Sequence, residues 1–285
     1  MLRNMRSARR EEGFSSCSIS QETKEEISSN VENSMKENDS NKSRLKDLAK
    51  AGFDNNRFTF TGFLSLAELS EYYDIKKELD YAYPVLWGGH ELCERVMIRF
   101  GNPEILGFEE EFPIRILEIS PVADKFADDL NHRDFLGALM NLGINRNTLG
   151  DIFVKNKKAY VFCKDTIAGF IIENLTRIKH TTIKVRQVTE AKELDNPEFE
   201  EKLIQVPSER ADVIISKVWN LSRKVSTEMF PEGLVAINGR ITTENAKGIK
   251  AGESVSLRGY GKFIYDGLQG TSKKGKLNVK VRIYR

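Results

Sequence analysis

The 285-residue chain has little cysteine: Cys17, Cys93 and Cys163 are odd in number and scattered. Neither a disulfide framework nor a CxxC metal site can be built from them, which favours a reducing, cytosolic setting. No run approaches the roughly eighteen apolar residues of a membrane span, so no membrane association is expected. The N-terminal MLRNMRSARREEGF is rich in Arg but lacks the apolar segment of a secretory signal, and Glu11 and Glu12 run against an organelle transit peptide. Histidine is equally scarce, at three residues, with no HExxH and no Ser-centred elbow. No constellation for acid/base, nucleophilic or metal catalysis is present, so no catalytic residue, metal or cofactor is expected.

Three stretches imitate catalytic motifs and fail on their context. His132-Arg133-Asp134 resembles a kinase catalytic loop, but Leu139 stands where a magnesium-binding Asn is needed, and there is no DFG triplet. The same triplet falls short of the HRLD-type segment of pseudouridine synthases. Asn131 or Asp134 is expected to cap a helix here, with His132 and Arg133 as a polar edge and a possible secondary RNA or partner contact. Gly270 to Lys276 has P-loop spacing, but Leu277 follows in place of Ser/Thr, and LNVKVRIYR continues as a strand instead of a helix. Gly259-Tyr260-Gly261 begins a dinucleotide fingerprint that ends at Ile264 instead of Gly.

What the chain does have is divided charge. From Gln205 onward there are 15 Lys/Arg against 7 Asp/Glu, a net of +8, leaving 29 against 35, a net of −6, before it. A basic C-terminal third on an acidic body is what a nucleic-acid-binding module joined to other domains looks like. At this length and 40% hydrophobic content, two or three domains are expected.

Residues 1–43, rich in Ser, Asn, Glu and Lys, cannot bury enough to offset ordering entropy and are expected to be a disordered extension; a start assigned too far upstream explains them equally well. Residues 44–111 read as a small mixed domain. Leu45, Leu48 and Ala49 suit a helix ended by Gly52, Ser65 caps a second before Leu66, Leu69 and Tyr72 or Tyr73, and HELCERVMIRF after Gly88-Gly89 reads as a third, with Leu92, Val96 and Phe100 inward. Residues 112–188 read as β-α-β-β-α-β: a strand over Pro113 to Ile119, a helix over His132 to Gly143, a hairpin around Asn156 to Lys158, a helix over Thr166 to Ile178 and a strand over Thr181 to Val188. That is the ferredoxin-like order, shared by RNA-recognition domains and many others. Tyr160 and Phe162 sit where such domains place stacking aromatics, but without the full signature buried packing is the favoured role. Residues 189–207 are acidic, hold Pro197 and Pro207, and read as a linker.

Residues 208–285 carry the chemistry. A helix from Ser208 turns Ala211, Ile214 or Ile215, Val218 and Leu221 inward and leaves Arg210 and Lys217 outward. A second starts at Ser222 as cap and brings Arg223 and Lys224 into its first turn, a combination suited to phosphate. Pro231 and Gly233 close it, and a strand turns at Asn238-Gly239. Arg258 and Lys262, framed by glycines, extend the same surface. Lys274 precedes a C-terminal strand whose Lys276, Lys280 and Arg282 form a basic side, completing a β-hairpin.

Arg210-Ala-Asp212, Ser222-Arg223-Lys224, Gly233 to Gly239 and Gly252-Glu253 resemble the S4 RNA-binding domain in order and spacing. Over about 44–285 the chain further resembles the YlmH-type proteins, in RGYGKF (Arg258 to Phe263), GGHELCER (Gly88 to Arg95) and HRDFLGALMNLGI with LGDI (His132 to Ile152). The resemblance implies an α+β chain of three parts: a small N-terminal domain, an RRM-like middle domain and an S4 domain of the αL type. It implies a non-enzymatic, cytoplasmic, bacterial and monomeric factor of ribosome-associated quality control. That factor binds rRNA of the large ribosomal subunit and peptidyl-tRNA beside other quality-control factors, and assists C-terminal tailing of the stalled chain. RNA contacts are expected from Arg210, Lys217, Ser222, Arg223, Lys224, Arg258, Lys262 and Lys274. The competing classes are an RNA-modifying enzyme of the pseudouridine synthase kind and a cell-division adaptor.

Overall fold

A computed structural model describes residues 40–194 and 199–284; the expected extension over 1–43 lies almost wholly outside them, as does Cys17. The first helix, α1, spans 40–54. It buries Leu45 and Ala49 and runs past Gly52 instead of stopping there. Gly52 serves close approach: a Cβ on it would lie 3.1 Å from Thr59 Oγ1, and Thr59 needs that space to donate to Leu48 O at 2.8 Å. Strand β1 (Thr59–Phe60) and helix α2 (Leu66–Leu79) follow. Ser65 caps α2 reciprocally with Glu68, whose carboxylate accepts from Ser65 N–H at 2.7 Å.

The next stretch corrects an expectation. HELCERVMIRF forms no helix; β2 (Val85–Trp87) is followed by a looped segment and then β3 (Met97–Phe100). β3 lies between β1 and β2 and is buried at all four positions, with Met97 in one core and Ile98 and Phe100 in another. A strand covered on both sides is buried at every position, here Met97, Ile98, Arg99 and Phe100, so Leu92, Val96 and Phe100 only imitate helical spacing. Gly88 and Gly89 make the turn possible, since an added Cβ would stand 2.5 Å from Cys93 Cβ and from the Phe162 ring respectively. A one-turn helix α3 (Pro103–Leu106) completes this region.

The middle region runs β4 (Ile114–Pro121), α4 (His132–Asn141), β5 (Leu149–Lys155), β6 (Lys158–Lys164), α5 (Asp165–Asn174), β7 (Arg177–Ile178) and β8 (Thr181–Val188). The sheet order is β5-β6-β4-β8-β7 with antiparallel neighbours, so the expected split βαβ order is present with one added edge strand. That strand takes the end of the segment expected to be helical, because Lys179 at φ 49° turns the chain back into β8. The β5–β6 turn places Asn156 and Lys157 at φ 50° and 62°, the primed geometry that matches strand twist. Leu117, Ile119 and Val161 pack with Phe135, Leu139 and Ile171 of the two helices on one face. On the other, Tyr160 and Phe162 are buried with Phe63 and Met97, the packing role favoured for that pair.

The expected acidic linker is corrected next. Its second half is β9 (Phe199–Val206), paired with the C-terminal strand from Phe199↔Tyr284 to Val206↔Leu277. Ile204 and Val206 are buried while Glu201 faces Lys280 at 2.8 Å, so the acidic side is the exposed face of an edge strand. Helices α6 (Ala211–Val218) and α7 (Arg223–Glu228) precede β10 (Val235–Ile237), β11 (Arg240–Ile241), β12 (Ser254–Leu257), β13 (Gly261–Thr271) and β14 (Leu277–Tyr284). The sheet order is β11-β10-β12-β13-β14-β9, over a core that includes Ile214, Ile215, Phe230, Phe263 and Val281.

The three sheets meet at residues 93–95. Asp151 Oδ2 accepts the N–H groups of Glu94 at 2.7 Å and Arg95 at 2.8 Å, while the Arg95 guanidinium donates to the carbonyls of Leu149, Phe63 and Arg146. Burial pulls this guanidinium down to about 10 and pushes the Asp151 carboxyl above its usual range, against the pull of the two amides. Asp151→Ala orphans both amides in a closed site and is expected to cost about 2–4 kcal/mol. Urea unfolding measures this, and a loss below about 0.5 kcal/mol would contradict it.

Candidate RNA interface

α6 forms because Ala211, Ile214, Ile215 and Val218 share an inward stripe, which its short length buries almost entirely. Asp212, in the first turn, is also buried, at 1% side-chain exposure. Its Oδ1 accepts from Arg210 Nε at 3.1 Å and its Oδ2 from Arg210 Nη2 at 3.2 Å and Arg223 Nη2 at 2.8 Å. The Asp212 backbone is held as well, its carbonyl accepting from Ser226 Oγ at 2.6 Å and its N–H donating to Asn245 O at 3.2 Å. Arg210 and Arg223 remain 42% and 54% exposed, so one buried carboxylate fixes two half-exposed guanidinium groups at neighbouring helix starts.

This refines the expected geometry. Arg210 is the residue preceding α6 and folds over Asp212 instead of projecting freely. Ser222 caps α7 by accepting from Val225 N–H at 3.2 Å, so that amide is already occupied. Lys224 is 85% exposed with Glu228 at 3.9 Å, and Lys217 is exposed in the last turn of α6. Asn220, at φ 54°, and the Ser216 Oγ donation to Leu221 O at 2.7 Å shape the turn that brings the two helices together.

Other expected contacts are dispersed. Arg258 is exposed in the β12–β13 turn beside Tyr260, which is 47% exposed and stands 6.2 Å from the Trp219 ring. Lys262 turns the other way: its Nζ lies 3.2 Å from Glu94 Oε1 and 5.4 Å from the Tyr284 ring centroid. Ser256, opposite Lys262 in the sheet, donates to the same Glu94 oxygen at 2.5 Å, so Lys262 ties this sheet to the 93–95 turn instead of extending the Arg258 surface. Lys274 is exposed at the β13–β14 tip. The expected basic side of β14 is largely neutralised, Lys280 by Glu201 and Arg282 by Asp266, at 2.9–3.0 Å, with the Phe199 ring 5.0 Å from the guanidinium.

His132 and Arg133 open α4, a separate part of the fold, exposed behind an Asn131–Asp134 capping box. Asp212 is the member of this cluster that sequence reasoning missed. Its signal was the Arg-x-Asp spacing with a second Arg eleven residues on, but a first-turn Asp is ordinarily exposed. Among the described residues no group of three or more His, Cys, Asp or Glu could hold a metal, and no helix is long and apolar enough to cross a membrane.

Asp212 keeps one cation when either Arg is removed, so Arg210→Ala and Arg223→Ala should each cost under about 1 kcal/mol. The double variant leaves a buried, unpaired carboxylate and should exceed their sum by about 1–2 kcal/mol. Denaturant unfolding of the four proteins measures the coupling, and additive losses would contradict it.

Comparison with known proteins finds similarity over parts of the chain. Residues 108–192 match a family model described as a putative RNA-binding domain in YlmH. The chain is 26% identical over 194 residues to the ribosome-associated protein quality control protein P2 of Bacillus subtilis (strain 168), covering 67% of this chain and 74% of that protein. Among solved structures, the cell division protein ylmH from Streptococcus pneumoniae aligns with a TM-score of 0.43 at 20% identity, over 55% of this chain and 94% of that one. Residues 88–95 and 132–152 are brought together through Asp151, and over residues 108–192 the chain is similar to the putative RNA-binding domain of YlmH.

Proposed function

We propose that this protein is a cytoplasmic, non-enzymatic RNA-binding factor that acts on the large ribosomal subunit when translation stalls. In this reading residues 44–111 form a small N-terminal domain, 112–188 a ferredoxin-like domain, and the C-terminal part, enlarged by β9, an S4 domain. The observation that carries it is the Arg210–Asp212–Arg223 cluster. A guanidinium held in place by a buried carboxylate loses less freedom on meeting a phosphate, and its remaining donors stay available for a forked contact. Lys217 and Lys224 add exposed charge on either side of the turn, and Arg258 and Lys274 add cations on the same module. Such contacts read the shape and 2′-hydroxyls of structured RNA more than its sequence. The relative named for ribosome-associated quality control supports rRNA and peptidyl-tRNA on an obstructed large subunit as the target, with C-terminal tailing of the stalled chain as the process served.

Replacing Arg223 and Lys224 together by Ala should weaken co-sedimentation with large ribosomal subunits while far-UV circular dichroism stays unchanged. With four to six phosphates neutralised, log affinity for the wild-type protein should fall against log salt with a slope of roughly −3 to −5. Undiminished co-sedimentation of the variant, or a flat salt profile, would overturn this function.

A further inference from the structure

The sheet face that carries Phe162 is closed to ligands. Phe63 and Met97 cover it and Gly89 lies against the Phe162 ring, so no base can stack there. The helical side of the same region is not closed. A cleft of about 430 Å³ runs between α4 and the chain that leads from the end of α5 through β7. One wall is the flank of α4, with Arg133, Gly137 and Asn141; the other carries Asn174, Arg177 and Lys179. Apolar lining comes from Ala138, Leu142, Leu175 and Ile178.

Packing within the chain does not explain Gly137. It is exposed inside α4, a Cβ added there would meet nothing within 4 Å, and alanine would hold the helix better. A helix left bare on the side of a cleft admits a ligand to direct contact with its backbone. The charge of the cleft adds to this. Its charged side chains are Arg133, Arg177, Lys179 and Asp134, three cations to one anion. Asp134 is 13% exposed and already engaged twice, accepting from Asn131 N–H at 3.0 Å and from Lys179 Nζ at 2.7 Å. That ion pair ties the two walls together, from the first turn of α4 to Lys179 at φ 49°. Arg133 and Arg177 are exposed, and neither forms an ion pair among the described residues.

The volume is that of a small-molecule site, more than a lone phosphate needs. Two arginines on facing walls suit a phosphate, whereas the apolar lining and the bare backbone at Gly137 suit the flat face of a sugar or base. Asn141 and Asn174 place an amide on each wall; Asn174 commits one N–H to Phe170 O at 2.8 Å and keeps its carbonyl. We propose that this cleft captures a single nucleotide, its phosphate held by Arg133 and Arg177 and one face of its sugar or base against Gly137. An unstacked residue of RNA and a free nucleotide share this chemistry. The cleft lies within residues 108–192, the segment similar to a putative RNA-binding domain. With RNA as the source, the inference rests on the RNA-binding reading above and adds to its backbone contacts a place for one splayed-out base.

The test uses the full chain, a fluorescently labelled RNA hairpin with a one-nucleotide bulge, the same hairpin fully paired, nucleoside monophosphates and purified large ribosomal subunits. Gly137→Ala should raise the melting temperature, because alanine favours the helix, and yet weaken binding to the bulged hairpin about tenfold, with the paired hairpin unaffected. Arg177→Gln, at an exposed position, should weaken the bulged hairpin as well and reduce the magnitude of its salt slope by about 0.7. Loss of the preference for the bulge assigns the cleft to a nucleotide of RNA. Binding of a nucleoside monophosphate that Gly137→Ala abolishes, with no bulge preference in the wild-type protein, assigns it to a free nucleotide. Full binding of every probe by both variants, while Arg223→Ala/Lys224→Ala still weakens hairpin binding, would overturn the cleft and leave the RNA-binding reading standing. If none of these substitutions matters, both fail. Equal losses on the bulged and paired hairpins would overturn nucleotide capture in favour of a backbone contact, and a loss seen only with subunits would overturn it in favour of a ribosomal protein.

Discussion

Asp151 accepting the amides of Glu94 and Arg95 is the constraint on which the arrangement of the described chain depends. From that one turn the Arg95 guanidinium reaches carbonyls on both sides of the first junction, and the Glu94 carboxylate reaches Ser256 and Lys262 of the C-terminal sheet. Three sheets that share no strand are thereby coupled through one short segment, closed by two glycines that admit no Cβ. Apolar burial around Phe63, Met97 and Phe162 supplies area at this junction, while the directional bonds of Asp151 set the register in which it is buried.

The cations of the chain divide by what lies next to them. Arg282, Lys280 and Lys262 are matched to Asp266, Glu201 and Glu94 and serve the sheet and its docking. Arg210 and Arg223 share a single carboxylate, so this pair keeps excess positive charge. Excess charge held by a buried anion is pre-organised for a polyanion, whereas paired charge is not. A net charge of +8 over the C-terminal third therefore overstates that region's free cations.

Local chemistry was legible wherever a few neighbouring residues decide the outcome. The Ser65 cap, the cap at Asn131 or Asp134, the Asn238-Gly239 turn and the alternation in β4 and β8 all lie in short windows, and the α+β composition with its β-α-β-β-α-β order follows from them. The likeness to YlmH-type proteins was legible as well, because the similar segments keep their order along the chain.

Where distant residues compete for the same segment, only the tertiary structure decided. Leu92, Val96 and Phe100 have helical spacing, yet the space between β1 and β2 makes Met97–Phe100 a central strand. Residues 199–206 resemble a linker until β14, more than seventy residues later, pairs with them. Lys262 looks like a surface cation until Glu94 arrives from another sheet, and Asp212 looks like an exposed first-turn acid until two arginines cover it. Sequence determined the local preferences and the residue types available for RNA. Which cations stay available was settled by long-range packing, because a charge is neutralised by whatever folding brings near it, and that information lies in no single window of the chain.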